Sequence, residues 1–131
     1  MANRWFNQFR LQLEKQVVSL FGDVTFAGGG APTLVVANSK GIASIVRTGA
    51  GAYTVTLQDA YVRLLMVASC FINATAPAAP GLYVVSTTVG SSGSAQPVIF
   101  LQFQNDAGAA TDPGSGEEVL LQFNLSNSTA S

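Results

Sequence analysis

Histidine is absent from this 131-residue chain, and cysteine occurs only once, at Cys70. Without an imidazole, neither a Ser-His-Asp triad nor a Cys-His pair can be built, and histidine ligation of a metal is excluded. One cysteine cannot form an intrachain disulfide. Because Cys70 lies in the apolar segment Val62–Ile72, we expect it to be a small buried hydrophobic residue. We therefore expect a protein that is not an enzyme and that has no cofactor and no small-molecule substrate.

Charge is also scarce, since only 10% of the residues are charged and the 42 residues from Leu64 to Asn105 carry none. A net charge of −1 without a basic cluster argues against nucleic-acid binding. No apolar run approaches the ~20 residues of a membrane-spanning helix. Arg10, Glu14 and Lys15 interrupt any signal-peptide core, so we expect neither a membrane nor Sec-dependent secretion. An uncharged surface of this extent favours a permanent protein partner.

Alternation of apolar and polar residues dominates the rest of the chain and predicts β-strands. The segment Val62–Ile72 is apolar at both alternating sets of positions, which predicts a central strand covered on both faces. Glycine, proline and asparagine clusters between the segments predict turns, among them Gly49–Gly51. The predicted strands are Val17–Phe26, Thr33–Ala37, Ile42–Arg47, Tyr53–Gln58, Val62–Ile72, Leu82–Thr88, Val98–Gln104 and Val119–Ser126. Eight or nine such strands predict an all-β chain with one β-sandwich or jelly-roll-like domain.

The first 27 residues are interpreted as an N-terminal arm or hairpin joined to the sheet, and residues 28–131 as the sandwich. A hairpin turning near residues 14–16 is favoured, with a short helix around residues 3–8 as the alternative. Trp5, Phe6 and Phe9 cluster in this arm, beside Arg10. Because tryptophan is enriched at the centres of interfaces, these four residues are the candidates for contact with a partner. Packing in the core remains the alternative.

Acidic residues are concentrated in one loop, which contains Asp106, Asp112, Glu117 and Glu118. Their carboxylates are ligands that calcium accepts, but their spacing does not match an EF-hand loop. A turn ending at Pro113-Gly114 is the favoured interpretation. Asp23 and Asp59 are interpreted as turn residues at strand ends. A plain turn is thus preferred to a calcium site, no metal site is predicted, and no acids are identified as a carboxylate pair for acid–base catalysis.

Two stretches resemble small virion proteins of tailed bacteriophages. The first, Ser39–Asp59, has a strand with Gly-Ile and Arg-Thr, a glycine-containing turn and a Tyr-Thr-Val-Thr-Leu strand. The second, Ala110–Gly116, is followed by Val119-Leu120-Leu121. The resemblance implies a structural protein of a phage particle, either a capsid decoration (cement) protein or the base of a head fibre. Proteins of this kind are often trimeric β-sandwiches seated where capsid subunits meet, and they have no catalytic motif to carry over.

Two functions follow as hypotheses. The first is a non-enzymatic capsid decoration protein that forms a homo-oligomer, with a trimer favoured, and that binds the major capsid protein. Such a protein would be assembled in the host cytoplasm and would reside on the virion surface. The second is a receptor- or carbohydrate-binding module of a phage fibre, which would need aromatic residues exposed on loops.

Overall fold

Eight β-strands make up most of the computed structural model, which describes residues 17–72, 77–89 and 97–126. The strands are β1 (Val17–Ala27), β2 (Thr33–Leu34), β3 (Ile42–Gly49), β4 (Ala52–Leu57), β5 (Arg63–Ile72), β6 (Gly81–Thr88), β7 (Val98–Gln104) and β8 (Ser115–Ser126). The predicted segment 33–37 is strand only over its first two residues. A 3-10 helix, Val36–Asn38, replaces the remainder. No helix within the described ranges is long and apolar enough to cross a bilayer.

The strands form two four-stranded antiparallel sheets that pack together, so the predicted all-β sandwich is confirmed. Sheet A has the order β2-β1-β8-β5, and sheet B has the order β3-β4-β7-β6. β1, the described end of the predicted arm, lies between β2 and β8. The predicted turn near residues 14–16 lies outside the described residues.

The core lies between the sheets and follows the alternation of the strands. Three aromatic residues, Phe26, Tyr53 and Phe103, pack edge to face, with ring centroids 5.0–5.6 Å apart. The geometry is the one that aromatic pairs prefer, because the positive edge of one ring meets the negative face of another. Around them lie the buried aliphatic side chains of both sheets: Leu20, Val24, Ile42, Ile45, Val55, Leu57, Ile99, Leu101, Val119, Leu121 and Leu125.

The prediction that Val62–Ile72 is a central strand is wrong, because β5 is an edge strand of sheet A. Its inward residues, among them Val67 and Phe71, pack against the core. Cys70 is among the exposed residues on its outward face, so the predicted burial of this cysteine is also wrong. The physical reason is that alternation fixes only which residues share a face. It does not determine whether a second layer covers each face.

Asp23 also differs from its prediction, since it lies within β1 rather than at a strand end and is only 3% exposed. Its carboxylate Oδ2 accepts a hydrogen bond from Asn38 Nδ2 at 2.8 Å, and its backbone N–H donates to Ser39 Oγ at 3.1 Å. The segment from the 3-10 helix to Ser39 therefore covers this carboxylate. Glu118 lies beside it, and a hydrogen bond with Asp23 raises the pKa of Glu118.

Candidate interaction surface and polar cluster

A polar cluster centred on Asp112 joins two parts of the chain that are far apart in sequence. Arg47, in β3, donates two hydrogen bonds to the carboxylate, from Nε to Oδ1 at 2.9 Å and from Nη2 to Oδ2 at 2.8 Å. The Tyr53 hydroxyl donates to Oδ1 at 2.8 Å, and the Gly51 N–H donates to the same oxygen at 3.0 Å. The loop between β7 and β8 is therefore fastened to the β3–β4 hairpin.

The electrostatics of this cluster indicate a structural role. Hydrogen bonds from Arg47, with further donors at Gly51 and Tyr53, lower the pKa of Asp112 to about 2. Burial, together with the Asp112 carboxylate, raises the pKa of Tyr53 well above its usual value. Hydrogen bonding to Asp112 raises the pKa of Arg47. A carboxylate with four donors is a poor general base, because its proton affinity is low and its lone pairs are engaged.

The acidic residues of the predicted turn serve separate purposes. Asp106 is exposed at the tip of the loop, whereas Asp112 is bound by Arg47. Glu117 accepts hydrogen bonds from the backbone N–H groups of Gly114 and Ala78, which stabilises the turn before β8. Glu118 faces Asp23. In the described part of the chain, no three acidic or cysteine side chains are grouped in a way that could hold a metal ion.

The hairpin predicted at Gly49–Gly51 is present. A substitution at Gly51, which donates to Asp112, tests how closely the hairpin packs against β7 and the following loop. Gly51 has φ +67°, and a Cβ there would lie 2.5 Å from the carbonyl oxygen of Phe103 and 2.9 Å from the Thr111 nitrogen. We expect Gly51→Ala to lower the free energy of unfolding by at least ~2 kcal/mol, from left-handed strain plus the clash. Gly108→Ala is the control, since Gly108 has φ +79° but no atom near its Cβ position.

Urea unfolding of Gly51→Ala and Gly108→Ala would measure how much each substitution lowers the free energy of unfolding. Gly108→Ala isolates the conformational cost, on the order of 1 kcal/mol. Equal losses in the two variants would contradict the close approach of Gly51 to the β7 backbone.

An exposed apolar area on the outer face of sheet A is the main candidate for an interaction surface. We call it the outer patch, and it consists of Phe21, Met66, Cys70, Ile72 and Leu120. The register places Cys70 directly opposite Leu120 on β8, whereas Met66 and Ile72 lie opposite the polar residues Asn124 and Glu118. The outward positions of β5 from Met66 to Ile72 are all apolar, which is why the sequence pattern suggested a covered strand. Nothing in the described chain covers this area.

The four interface candidates from the sequence, Trp5, Phe6, Phe9 and Arg10, lie outside the described residues. Sequence reasoning did not identify the outer patch as exposed, although it did identify Val62–Ile72 as apolar on both sides. It also did not predict that Arg47 binds a carboxylate. A charged residue within an alternating strand of this weakly charged chain was a signal that could have indicated such a partner.

The fold and the surface thus define a β-sandwich with a structural polar cluster around Asp112 and with an exposed apolar patch on the outer face of sheet A. Comparison of the chain with protein-family models, with curated protein sequences and with solved structures gave no significant match.

Proposed function

We propose that the protein is a non-enzymatic structural protein of a bacteriophage particle, a capsid decoration (cement) protein. In this proposal it forms a homo-oligomer, with a trimer favoured, and binds the major capsid protein on the virion surface after assembly in the host cytoplasm. The observation that carries the proposal is the outer patch. The resemblance of residues 39–59 and 110–116 to small virion proteins is the reason for proposing a bacteriophage particle.

The outer patch favours a permanent partner because it places several large apolar side chains, each about 40–50% exposed, on one sheet face, and exposed apolar clusters of this kind mark interaction sites. β5 also lies at a sheet edge, and so does β6, which contacts it from the other sheet. Both strands therefore present unpaired backbone groups on the same side of the sandwich within the described chain. Natural proteins usually protect such edges with charge, and after Arg63 neither strand carries any.

A second copy of the chain is the partner that fits this side best. The edge strands after Arg63 and the outer patch carry no charged side chains that would bind a charged partner specifically. Homomeric interfaces are more apolar than transient ones, and charged residues are depleted at their centres. Because charge contributes little, assembly should depend weakly on salt. Dissociation of the oligomer, or its release from particles, in 1 M NaCl would contradict this mechanism.

Cys70 provides a direct test, since it is the only cysteine and lies within the outer patch. In the assembled protein we expect a maleimide reagent to label Cys70 much more slowly than in protein unfolded in urea. Leu120→Lys should break the assembly, as judged by light scattering, and should restore fast labelling. Val46→Lys is the matched control, because Val46 is 53% exposed on the outer face of sheet B. It should leave both the labelling and the mass unchanged.

Binding to the shell is tested separately, by sedimenting each variant with tailed-phage capsids that lack their decoration protein. We expect the unmodified protein and Val46→Lys to sediment with the capsids, and Leu120→Lys to lose most of its binding. A protein that is monomeric at micromolar concentration with rapidly labelled Cys70 would contradict the oligomer. An oligomer that fails to bind capsids would contradict the decoration role alone.

A further inference from the structure

The carboxylate of Asp23 lies on the outer face of sheet A beneath residues 35–39, which we call the cover. The Val35 N–H donates to the Asp23 carbonyl oxygen at 2.7 Å, and Ser39 Oγ accepts a hydrogen bond from the Asp23 N–H at 3.1 Å. One carboxylate oxygen, Oδ2, accepts a hydrogen bond from Asn38 Nδ2. The other, Oδ1, is buried and has no hydrogen-bond donor among the described residues. A buried acceptor without a donor is costly, above all when it is charged, so this oxygen needs an explanation.

Glu118 is the side chain that the strand register brings to this oxygen. In the pairing of β1 with β8, Asp23 lies opposite Leu120, and Thr25 lies opposite Glu118. Asp23 and Glu118 are therefore diagonal neighbours on one face of the sheet, at a separation that long side chains span. Two carboxylates cannot donate to each other, whereas a carboxylic acid donates to a carboxylate. A hydrogen bond with Asp23, and then the charge of Asp23, raises the pKa of Glu118.

We propose that Asp23 and Glu118 share one proton, and that this proton keeps the cover closed over β1. The protonated Glu118 carboxyl donates to Asp23 Oδ1, so that both oxygens of the buried carboxylate have a donor. The pair then carries a single negative charge, and its hydrogen bond is a strong one because one partner is ionised. Both carboxyls belong to one molecule, so the shared proton does not depend on a role in a phage particle.

The two carboxyls differ in what they can do when the proton is lost. Glu118 is only partly buried, so its charged side chain can turn towards solvent. Asp23 is 3% exposed in a strand that is paired on both sides, and it has no path to solvent while the cover is closed. Its Oδ1 is then a buried charged acceptor without a donor, beside a second negative charge. Water reaches this oxygen when the cover opens.

Opening of the cover exposes little apolar surface. No residue of the 3-10 helix Val36–Asn38, which forms its centre, is buried. The contacts described between the cover and β1 are hydrogen bonds to Asp23. Segments with few buried apolar contacts open locally without global unfolding. The protonation of one carboxyl is therefore enough to bias the cover between closed and open states.

The elements packed around the pair contribute few other ionisable groups. Lys40 follows the cover, and its bridge to β1 lies two residues before Asp23. In the described part of the chain, neither carboxyl forms an ion pair with Lys40. On β8, Glu117 accepts hydrogen bonds from backbone N–H groups of the preceding turn and of residue 78. β5 contributes Cys70 and, at its far end, Arg63, and β2 contributes none. The titration of the cover is therefore expected to follow the carboxyl pair.

Hydrogen exchange of the Val35 N–H measures opening of the cover, because this group donates to Asp23. A closed state that binds an extra proton is favoured fully below the usual pKa of Glu118, 4.5, and is weakened as the pH rises through the raised folded-state pKa. Between these two values the protection factor of Val35 should fall by about tenfold per pH unit. The Asn105 N–H, which donates to Ala109 in a different loop, is the reference and should show no such fall.

Glu118→Gln should remove this pH dependence and keep the cover closed at neutral pH, since the amide donates to Oδ1 and has no proton to lose in this range. Because Glu118 is partly exposed, the variant should fold. Asp106→Asn is the matched control, because it removes an acidic charge at an exposed position outside the pair. It should keep the pH dependence of the unmodified protein.

The carboxyl carbon shift of Glu118 provides a second measurement that needs no variant. In the folded protein its titration midpoint should lie above 4.5. A midpoint at or below this value would overturn the shared proton.

Three results of the exchange experiment would also overturn the proposal. The first is the same pH dependence at Val35 in the unmodified protein and in Glu118→Gln. The second is a cover that Glu118→Gln opens at every pH, because the charge of Glu118 and not its proton would then be required. The third is a protection factor that millimolar calcium restores at neutral pH, since a divalent cation would then join the two carboxylates.

Discussion

Replacing Phe103 with alanine should lower the free energy of unfolding by about 3–5 kcal/mol, the range measured for large aromatic deletions in cores. Phe103 is fully buried, and its ring packs edge to face against Phe26 at 5.3 Å and Tyr53 at 5.6 Å. It also meets Phe71, which belongs to the edge strand β5, at 6.3 Å. The ring therefore links both sheets, and strands on all sides would have to shift to close the cavity.

Urea unfolding followed by circular dichroism measures this loss. Tyr83→Ala is a suitable control, because it deletes a ring of similar size from β6 that is about half exposed. Exposed substitutions of this kind usually change stability by less than about 1 kcal/mol. Equal losses from Phe103→Ala and Tyr83→Ala would show that Phe103 is not at the centre of the core. Since small domains are stable by only about 5–15 kcal/mol, the larger loss would leave a marginal protein.

The sandwich could be predicted from the sequence because its main signal is local. Side chains along a strand alternate between two faces, so Tyr53, Val55 and Leu57 had to share one side of β4. The same rule identified β7 and β8 to within a few residues. Turn chemistry added the β3–β4 hairpin at Gly49–Gly51. These features depend on neighbouring residues, and a single sequence carries that information.

The position of β5 could not be predicted, because strand order depends on pairing between distant segments. Its apolar pattern was identified correctly, but a pattern with two apolar faces does not say which layer covers each face. In the single chain, β8 lies on one side of β5 and the core covers its inner face. None of the described residues covers its outer face. If the proposed oligomer forms, the original inference of burial on both faces would apply to the assembly rather than to the monomer.

The Asp112 cluster was equally inaccessible from sequence, since Arg47 and Asp112 are 65 positions apart. Asp112 precedes Pro113-Gly114, and this context is typical of a turn whatever the side chain contacts. The ion pair joins residues 39–59, which contain Arg47, to residues 110–116, which contain Asp112. Only the folded register places them together, with the Arg47 and Asp112 side chains 28% and 15% exposed.

Asp112→Asn should lower the free energy of unfolding by about 2 kcal/mol at neutral pH, since hydrogen bonds to charged groups contribute ≈ 1.5–3 kcal/mol. The substitution keeps the size of the side chain but removes the charge that Arg47 pairs with. It also places an amide group where Tyr53 and Gly51 donate. Asp106→Asn removes the same charge from the exposed tip of the same loop, and it should have almost no effect.

The pH dependence of stability separates this ion pair from simple packing. Asp112 has a folded-state pKa of about 2, below its usual 3.8, so the folded state binds fewer protons than the unfolded state between these values. The stabilisation is therefore complete above pH ~5 and is lost as the pH falls through 3.8 and then through about 2, by about 2 kcal/mol in total. Urea unfolding at a series of pH values should show this loss in the unmodified protein and in Asp106→Asn. Asp112→Asn should lack it, because Arg47 and Tyr53 do not titrate in this range. A parallel acid decline in all three proteins would mean that other carboxylates dominate and that the cluster contributes little to stability.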